Sequence, residues 1–180
     1  MLAVFPGSFD PPTVAHVAIA EAALQHVDEV RFVLSEVALG KKDAVGRTPV
    51  DVRRQVLDAI TAITGGLSVV VTPASLIADI AAQSAADAVI VGRDKWAQIL
   101  DPAWYGGSVP ARDAAVARLP LVLLVPRAGP EAAPAVPAPS GPEVVTLHIE
   151  ARHHDVSSTR ARAGELGLIA TAARAAGHWG

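Results

Sequence analysis

Gly7-Ser8-Phe9-Asp10-Pro11-Pro12-Thr13-Val14-Ala15-His16 follows a short apolar run, Leu2 to Phe5, and opens directly into a helical pattern. The order is that of a strand, a tight glycine turn and a helix start, with a histidine in the first helical turn. Backbone N–H groups of such a turn and of the free helix end converge on one spot, where the helix dipole adds roughly half a positive charge. The stretch therefore predicts a seat for phosphate. Taken alone, His16 is equally well read as a histidine that caps or packs at a helix start.

A second segment lies far along the chain, Val156-Ser157-Ser158-Thr159-Arg160-Ala161-Arg162. The first stretch resembles the GxFDPxxxGH motif, and the second the ISSTxxR motif, of nucleotidyltransferases that join a nucleoside triphosphate to a phosphorylated substrate and release pyrophosphate. Both occur in the order and at the spacing of that superfamily. The resemblance implies an α/β fold, a Rossmann-like doubly wound parallel sheet of about five strands with helices on both faces.

The residues themselves point the same way. Runs rich in Val, Ile and Leu recur at Leu2 to Phe5, Val30 to Leu34, Leu67 to Val71, Ala88 to Val91 and Leu119 to Val125, with a last strand expected at Val144 to Ile149. Helical spacing lies between them, at Ala15 to His26, Pro49 to Thr64, Ser75 to Ala85, Lys95 to Leu100 and Ala111 to Arg118. Such alternation predicts a parallel sheet covered on both faces. Thr48, Pro49 and Asp51 predict an N-cap, a first-position proline and an acidic first turn for the second helix, and Gly65-Gly66 its stop. Residues Ala128 to Pro142 hold five prolines and five alanines in fifteen residues, a composition read as a surface loop.

With 180 residues, 51% of them hydrophobic, the chain has the bulk of one α/β domain, residues 1–180, and hardly of two. A net charge of -3 argues against a nucleic-acid coat or a polybasic membrane anchor. The absence of cysteine removes disulfides, thiolate nucleophiles and thiolate metal sites. No run reaches the roughly 20 apolar residues of a membrane span, and no signal-peptide pattern opens the chain. The expectation is a cytoplasmic protein that binds neither nucleic acid nor membrane, with a homo-oligomer left open.

In nucleotidyl transfer the attacking phosphate oxygen is already ionised, so catalysis is left to alignment and charge. The resemblance implies that Gly7, Ser8, Phe9, Asp10, Thr13 and His16, with Ser157, Ser158, Thr159 and Arg162, bind the nucleotide. His16 would donate to an α- or β-phosphate oxygen, and its loss is expected to lower turnover without touching the melting temperature. Lys41 and Lys42 are placed where related enzymes reach the migrating phosphate, or else form a solvated charge pair. Magnesium is expected with ATP, ligated mainly by nucleotide and water, and no protein metal site is assigned. Two departures from the family motif stand out: Thr13 replaces a histidine and Ala15 a glycine, where a Cβ could crowd the nucleotide.

The acceptor is read less sharply. Gly92-Arg93-Asp94, the SSTxxR ending and Leu121 to Arg127 resemble nicotinate-mononucleotide adenylyltransferases, in which Asp94 would face the ligand's ribose. Thr13 with His16, and Ser75 to Ala81, look more like phosphopantetheine adenylyltransferases. Thr72-Pro73-Ala74-Ser75-Leu76 stands where the former carry SYTxDTL, and the cytidylyltransferase ending RTEGISTT is missing, which favours ATP. Arg53 and Trp104 are further acceptor candidates, with surface ion pairing or core packing as their plainer readings. Adjacent histidines at 153 and 154 point to opposite sides of an extended chain and make a poor metal site. A nucleotide-binding regulator without turnover is the other class of function.

Overall fold

The computed structural model describes residues 1–36, 47–126 and 141–179. Among these, six parallel strands form one sheet: β1 (Leu2–Pro6), β2 (Glu29–Ser35), β3 (Leu67–Thr72), β4 (Ala88–Gly92), β5 (Leu121–Val125) and β6 (Val144–Thr146), in the order β3-β2-β1-β4-β5-β6. That is one more than about five. The sixth is short because only Val144, Val145 and Thr146 pair with β5. Leu147 still donates to the Leu124 carbonyl at 2.9 Å, and the chain then leaves the ladder while burying Leu147 and Ile149. Strand β5 starts at Leu121 rather than Leu119, since Pro120 has no N–H to give a ladder. Residues 37–46 and 127–140, which hold Lys41, Lys42, Arg127 and most of the proline-rich segment, lie outside the described residues.

Strand residues alternate between two cores, as the period of two requires. Ala3, Phe5, Val30, Phe32, Leu34, Ala88, Ile90 and Leu123 face one side, against α1 (Val14–Ala23), α2 (Val50–Thr61), α6 (Ser158–Arg162) and α7 (Thr171–Ala175). Val4, Val33, Val89, Val91 and Val122 face the other, against α3 (Ile77–Gln83), α4 (Arg93–Leu100) and α5 (Val109–Val116).

Helix α2 corrects the expected cap. Pro49, at φ -51° and ψ 148°, is itself the cap and makes no side-chain bond, so the helix begins one residue later than expected. Thr48 instead offers its carbonyl to Nε of Arg53 at 2.9 Å. Past the end of α2, Gly66 takes φ +77°. A Cβ there would lie 3.2 Å from the Asp28 carbonyl, so the turn into β3 needs glycine.

Because the sheet order runs 3-2-1-4-5-6, the chain reverses its direction of travel between β1 and β4. Helices α1 and α4 leave the carboxyl ends of these neighbouring strands for opposite faces, which opens a crevice there. Ligands of open parallel sheets bind at such a point.

Candidate functional site

The turn after β1 is built around Phe9. The N–H of Gly7 extends the ladder by one bond, to the Val33 carbonyl at 3.1 Å. Phe9 then takes φ +44°, a conformation that costs a non-glycine residue about 1–3 kcal/mol. Its ring is 1% exposed and meets Phe5, Phe32 and His16 edge-on at 5.4, 5.1 and 5.0 Å. A Cβ on Gly7 would sit 2.6 Å from the ring's Cζ. Glycine is thus required here by the phenylalanine, and Phe9 floors the site from within the core rather than facing a ligand. Ser8 is exposed beside it.

Helix α1 begins with a reciprocal cap. Thr13, at φ -111° and ψ 164°, accepts the His16 N–H on its hydroxyl at 3.4 Å, while Nδ1 of His16 accepts the Thr13 N–H at 2.9 Å. The Thr13 hydroxyl also lies 2.9 Å from Nδ1. Thr13 is fully buried, so its side chain serves the helix start and the imidazole. With Nδ1 accepting, the neutral imidazole carries its proton on Nε2, the tautomer a phosphate oxygen can use. Ala15 is buried in the core, so its Cβ turns into protein.

The second motif closes on the first. Ser157 caps α6 by accepting the Arg160 N–H at 3.2 Å. Ser158 Oγ donates to the Pro11 carbonyl at 2.8 Å, and one guanidinium nitrogen of Arg162 donates to the Asp10 carbonyl. These residues are four apart and share a face of the helix. Arg160 points away, to Glu165 at 2.7 and 2.5 Å and the Asp155 carbonyl at 2.9 Å. Thr159 is exposed.

Three further ties were not legible in the sequence. Ala170 donates to the Pro12 carbonyl at 3.0 Å, Thr13 bridges to Ile169, and Trp179 Nε1 donates to the Asp10 carboxylate at 2.8 Å. Arg53, read from sequence as an acceptor contact or a surface ion pair, is buried, and its Nη1 donates to the Ser8 carbonyl at 2.7 Å. Burial lowers the affinity of its guanidinium for its proton, and the Asp10 carboxylate opposes that shift. Its neighbour Arg54 makes the surface pair, with Asp58 at 3.5 Å.

Across the crevice, Gly92 ends β4, and a Cβ on it would meet nothing within 4 Å. Asp94 is exposed in the first turn of α4. Trp96 is half-buried against the core on that face. Trp104 is 49% exposed in a 3-10 turn, Pro102–Tyr105, with the Lys95 ammonium 5.9 Å from its ring centre. His154 meets the Ile149 carbonyl at 3.2 Å, and His153 accepts from Arg152 at 3.3 Å. Among the described residues no group of three or more His, Cys, Asp or Glu is placed to hold a metal ion, and no helix is long and apolar enough to cross a membrane.

Two solved structures share this architecture: Plasmodium falciparum nicotinic acid mononucleotide adenylyltransferase complexed with NaAD and with APC. Each is 15% identical to this chain and covers 90% of it and 82% of its own length, with TM-scores of 0.64 and 0.61. At that identity the likeness is one of fold. The sequence profile of the cytidylyltransferase-like family matches residues 4–164, which include the β1 turn, the crevice and the α6 motif. The chain belongs to the cytidylyltransferase-like family and is a nucleotidyltransferase.

Proposed function

We propose that the enzyme transfers the adenylyl group of ATP to nicotinate or nicotinamide mononucleotide. An acceptor phosphate oxygen attacks the α-phosphorus, the bond from that phosphorus to the β-bridging oxygen breaks, and pyrophosphate leaves with the bonding pair. The observation that carries this reading is the junction of the two motifs: Ser158 and Arg162 bond to the carbonyls of Pro11 and Asp10, beside the turn that leads into His16.

His16 donates from Nε2 to an α- or β-phosphate oxygen. Arg162 has five N–H donors, so anchoring one on Asp10 leaves others for the β- and γ-phosphates of the leaving group. Ser8, Ser157 and Thr159 contribute hydroxyl or main-chain donors, and the sequence resemblance assigns Lys41 and Lys42, which lie outside the described residues, to the migrating phosphate. Magnesium accompanying ATP would neutralise part of the triphosphate's charge, held mainly by the nucleotide and water. Asp94, at the carboxyl end of β4, accepts from ribose hydroxyls of the acceptor, and Trp104 offers a ring face to its pyridine. The name of the similar Plasmodium enzyme supports this acceptor class, as does Gly92-Arg93-Asp94.

Pyrophosphate release is to be measured with ATP and magnesium against nicotinate mononucleotide, nicotinamide mononucleotide and phosphopantetheine, and again with CTP. The pyridine mononucleotides with ATP are expected to give the highest kcat/KM. Faster release with phosphopantetheine would replace the acceptor, turnover only with CTP would replace the donor, and nucleotide binding without turnover would favour a regulator.

A further inference from the structure

Asp10 is 2% exposed, and a carboxylate so buried is costly unless donors meet it. The indole N–H of Trp179 does so at 2.8 Å, across 169 residues of chain. Gly177, at φ +72°, turns the chain after α7, and the Trp179 ring packs on the same core as Ile169, Ala173 and Phe9. Indole has a single N–H and no acceptor, so this bond fixes both the ring and the carboxylate it meets. Asp10 in turn sits between two demanding neighbours. Phe9 holds a left-handed φ, and Thr13 supplies the N–H that sets the His16 tautomer.

We propose that Trp179 is a positioning residue for phosphate chemistry: its indole N–H, seated on the Asp10 carboxylate, holds the 8–13 turn in the shape that presents the turn amides and His16 to the nucleotide. This rests on the nucleotidyl-transfer reading above. Arg162 grips the same residue by its carbonyl, so Asp10 is held from the main chain and the side chain at once.

Trp179→Phe keeps an aromatic ring and removes the donor. It is expected to fold, to raise the KM for ATP and lower kcat so that kcat/KM falls by on the order of tenfold to a hundredfold, and to leave the acceptor KM unchanged. In an Asp10→Ala background the same substitution should cost nothing further, because the two residues act as one unit. A purely structural tryptophan would lower Tm while kcat and the KM for ATP matched wild type wherever both are folded, which overturns the proposal. If Trp179→Phe does not fold, wild-type protein labelled with 5-fluorotryptophan gives a second test. Addition of a non-hydrolysable ATP analogue with magnesium should move the Trp179 fluorine signal and leave that of Trp96, on the opposite face of the sheet, in place. A Trp179 signal that stays still overturns the proposal. Wild-type protein that neither binds the analogue nor turns over would remove the parent reading and this proposal together, whereas active wild type with an equally active Trp179→Phe removes the proposal alone.

Discussion

The Thr13 N–H donates to Nδ1 of His16 at 2.9 Å, so the imidazole assigned to phosphate chemistry also closes the first turn of its own helix. Its substitution therefore has two separable effects. His16→Ala should lower kcat by at least about a hundredfold, the order lost with one transition-state donor. It should also cost about 0.5–2 kcal/mol of stability through the lost cap, where the sequence alone led us to expect an unchanged melting temperature. His16→Asn retains an acceptor near the Nδ1 position and lacks Nε2. Urea unfolding should show its stability restored while kcat stays low. Recovery of turnover in the asparagine variant would remove Nε2 from the mechanism.

Gly7 is prescribed by its neighbour's ring. A methyl at this position meets the Phe9 ring at 2.6–3.0 Å, and that ring is boxed in by Phe5, Phe32 and His16. Gly7→Ala should cost about 1–3 kcal/mol by overpacking. Phe9→Leu in the same chain should recover part of that loss, since the shorter side chain vacates the contact. Simple additivity of the two costs in denaturant unfolding would contradict this account.

Arg160 and Arg162 test the register of the second motif. Arg162 is bonded to the Asp10 carbonyl, whereas Arg160 is engaged by Glu165 on the exposed side of α6. Arg162→Ala and Arg162→Lys should both weaken ATP binding and turnover, lysine because it lacks the planar fork that spans a main-chain oxygen and phosphate together. Arg160→Ala should remain close to wild type in both measurements. A costlier loss at Arg160 would reverse the assignment.

Much of the sheet was legible because a strand buried on both faces needs a short apolar run, such as Ala88 to Val91 or Leu121 to Val125, whose length and β-branched content set it apart from the longer helical stretches between. The family was legible for a similar reason, since Gly7 to His16 and Val156 to Arg162 are local stretches whose spacing can be read directly, and both lie within the matched residues 4–164. Most of what escaped was non-local. Nothing near Arg53 announces that its guanidinium turns inward to the Ser8 carbonyl, 45 residues away. The Trp179 bond to Asp10 depends on a chain reversal at Gly177 and on the arrival of α7 against the core, neither of which is encoded beside Asp10. Thr48 was misread because a cap rule looks at residue types, while the helix start was decided by the extended ψ of Pro49.

Glu29 links the pH dependence of stability to the β2–β3 pairing. Its carboxylate accepts from the Ser68 hydroxyl at 2.6 Å and from Arg31 at 2.9 Å. The serine bond, reinforced by Arg31 and opposed by burial, holds its pKa below the ordinary 4.5. A depressed carboxylate contributes its full stabilisation above the unfolded-state value and loses it as pH falls through the folded one. Glu29→Gln should therefore be less stable than wild type at neutral pH, and the gap should narrow as unfolding is repeated down to about pH 3. A gap constant with pH would mean that the charge of Glu29 contributes nothing.

Ala15 stands where the family motif has glycine, and the concern raised by the sequence was that its methyl group would crowd the nucleotide. In the structure Ala15 is 3% exposed and lies in the core cluster with Ile19 and Ala20. Its methyl is therefore covered by the protein itself. Restoring the motif glycine removes about 0.8 kcal/mol of buried methyl. It adds part of the roughly 1 kcal/mol that glycine costs in a helix interior, only part because Ala15 sits in the first turn. Ala15→Gly should thus be less stable by about 1 kcal/mol or somewhat more, with the KM for ATP unchanged. A lower KM in the glycine variant, measured under conditions where both proteins are folded, would mean that the methyl does reach the nucleotide.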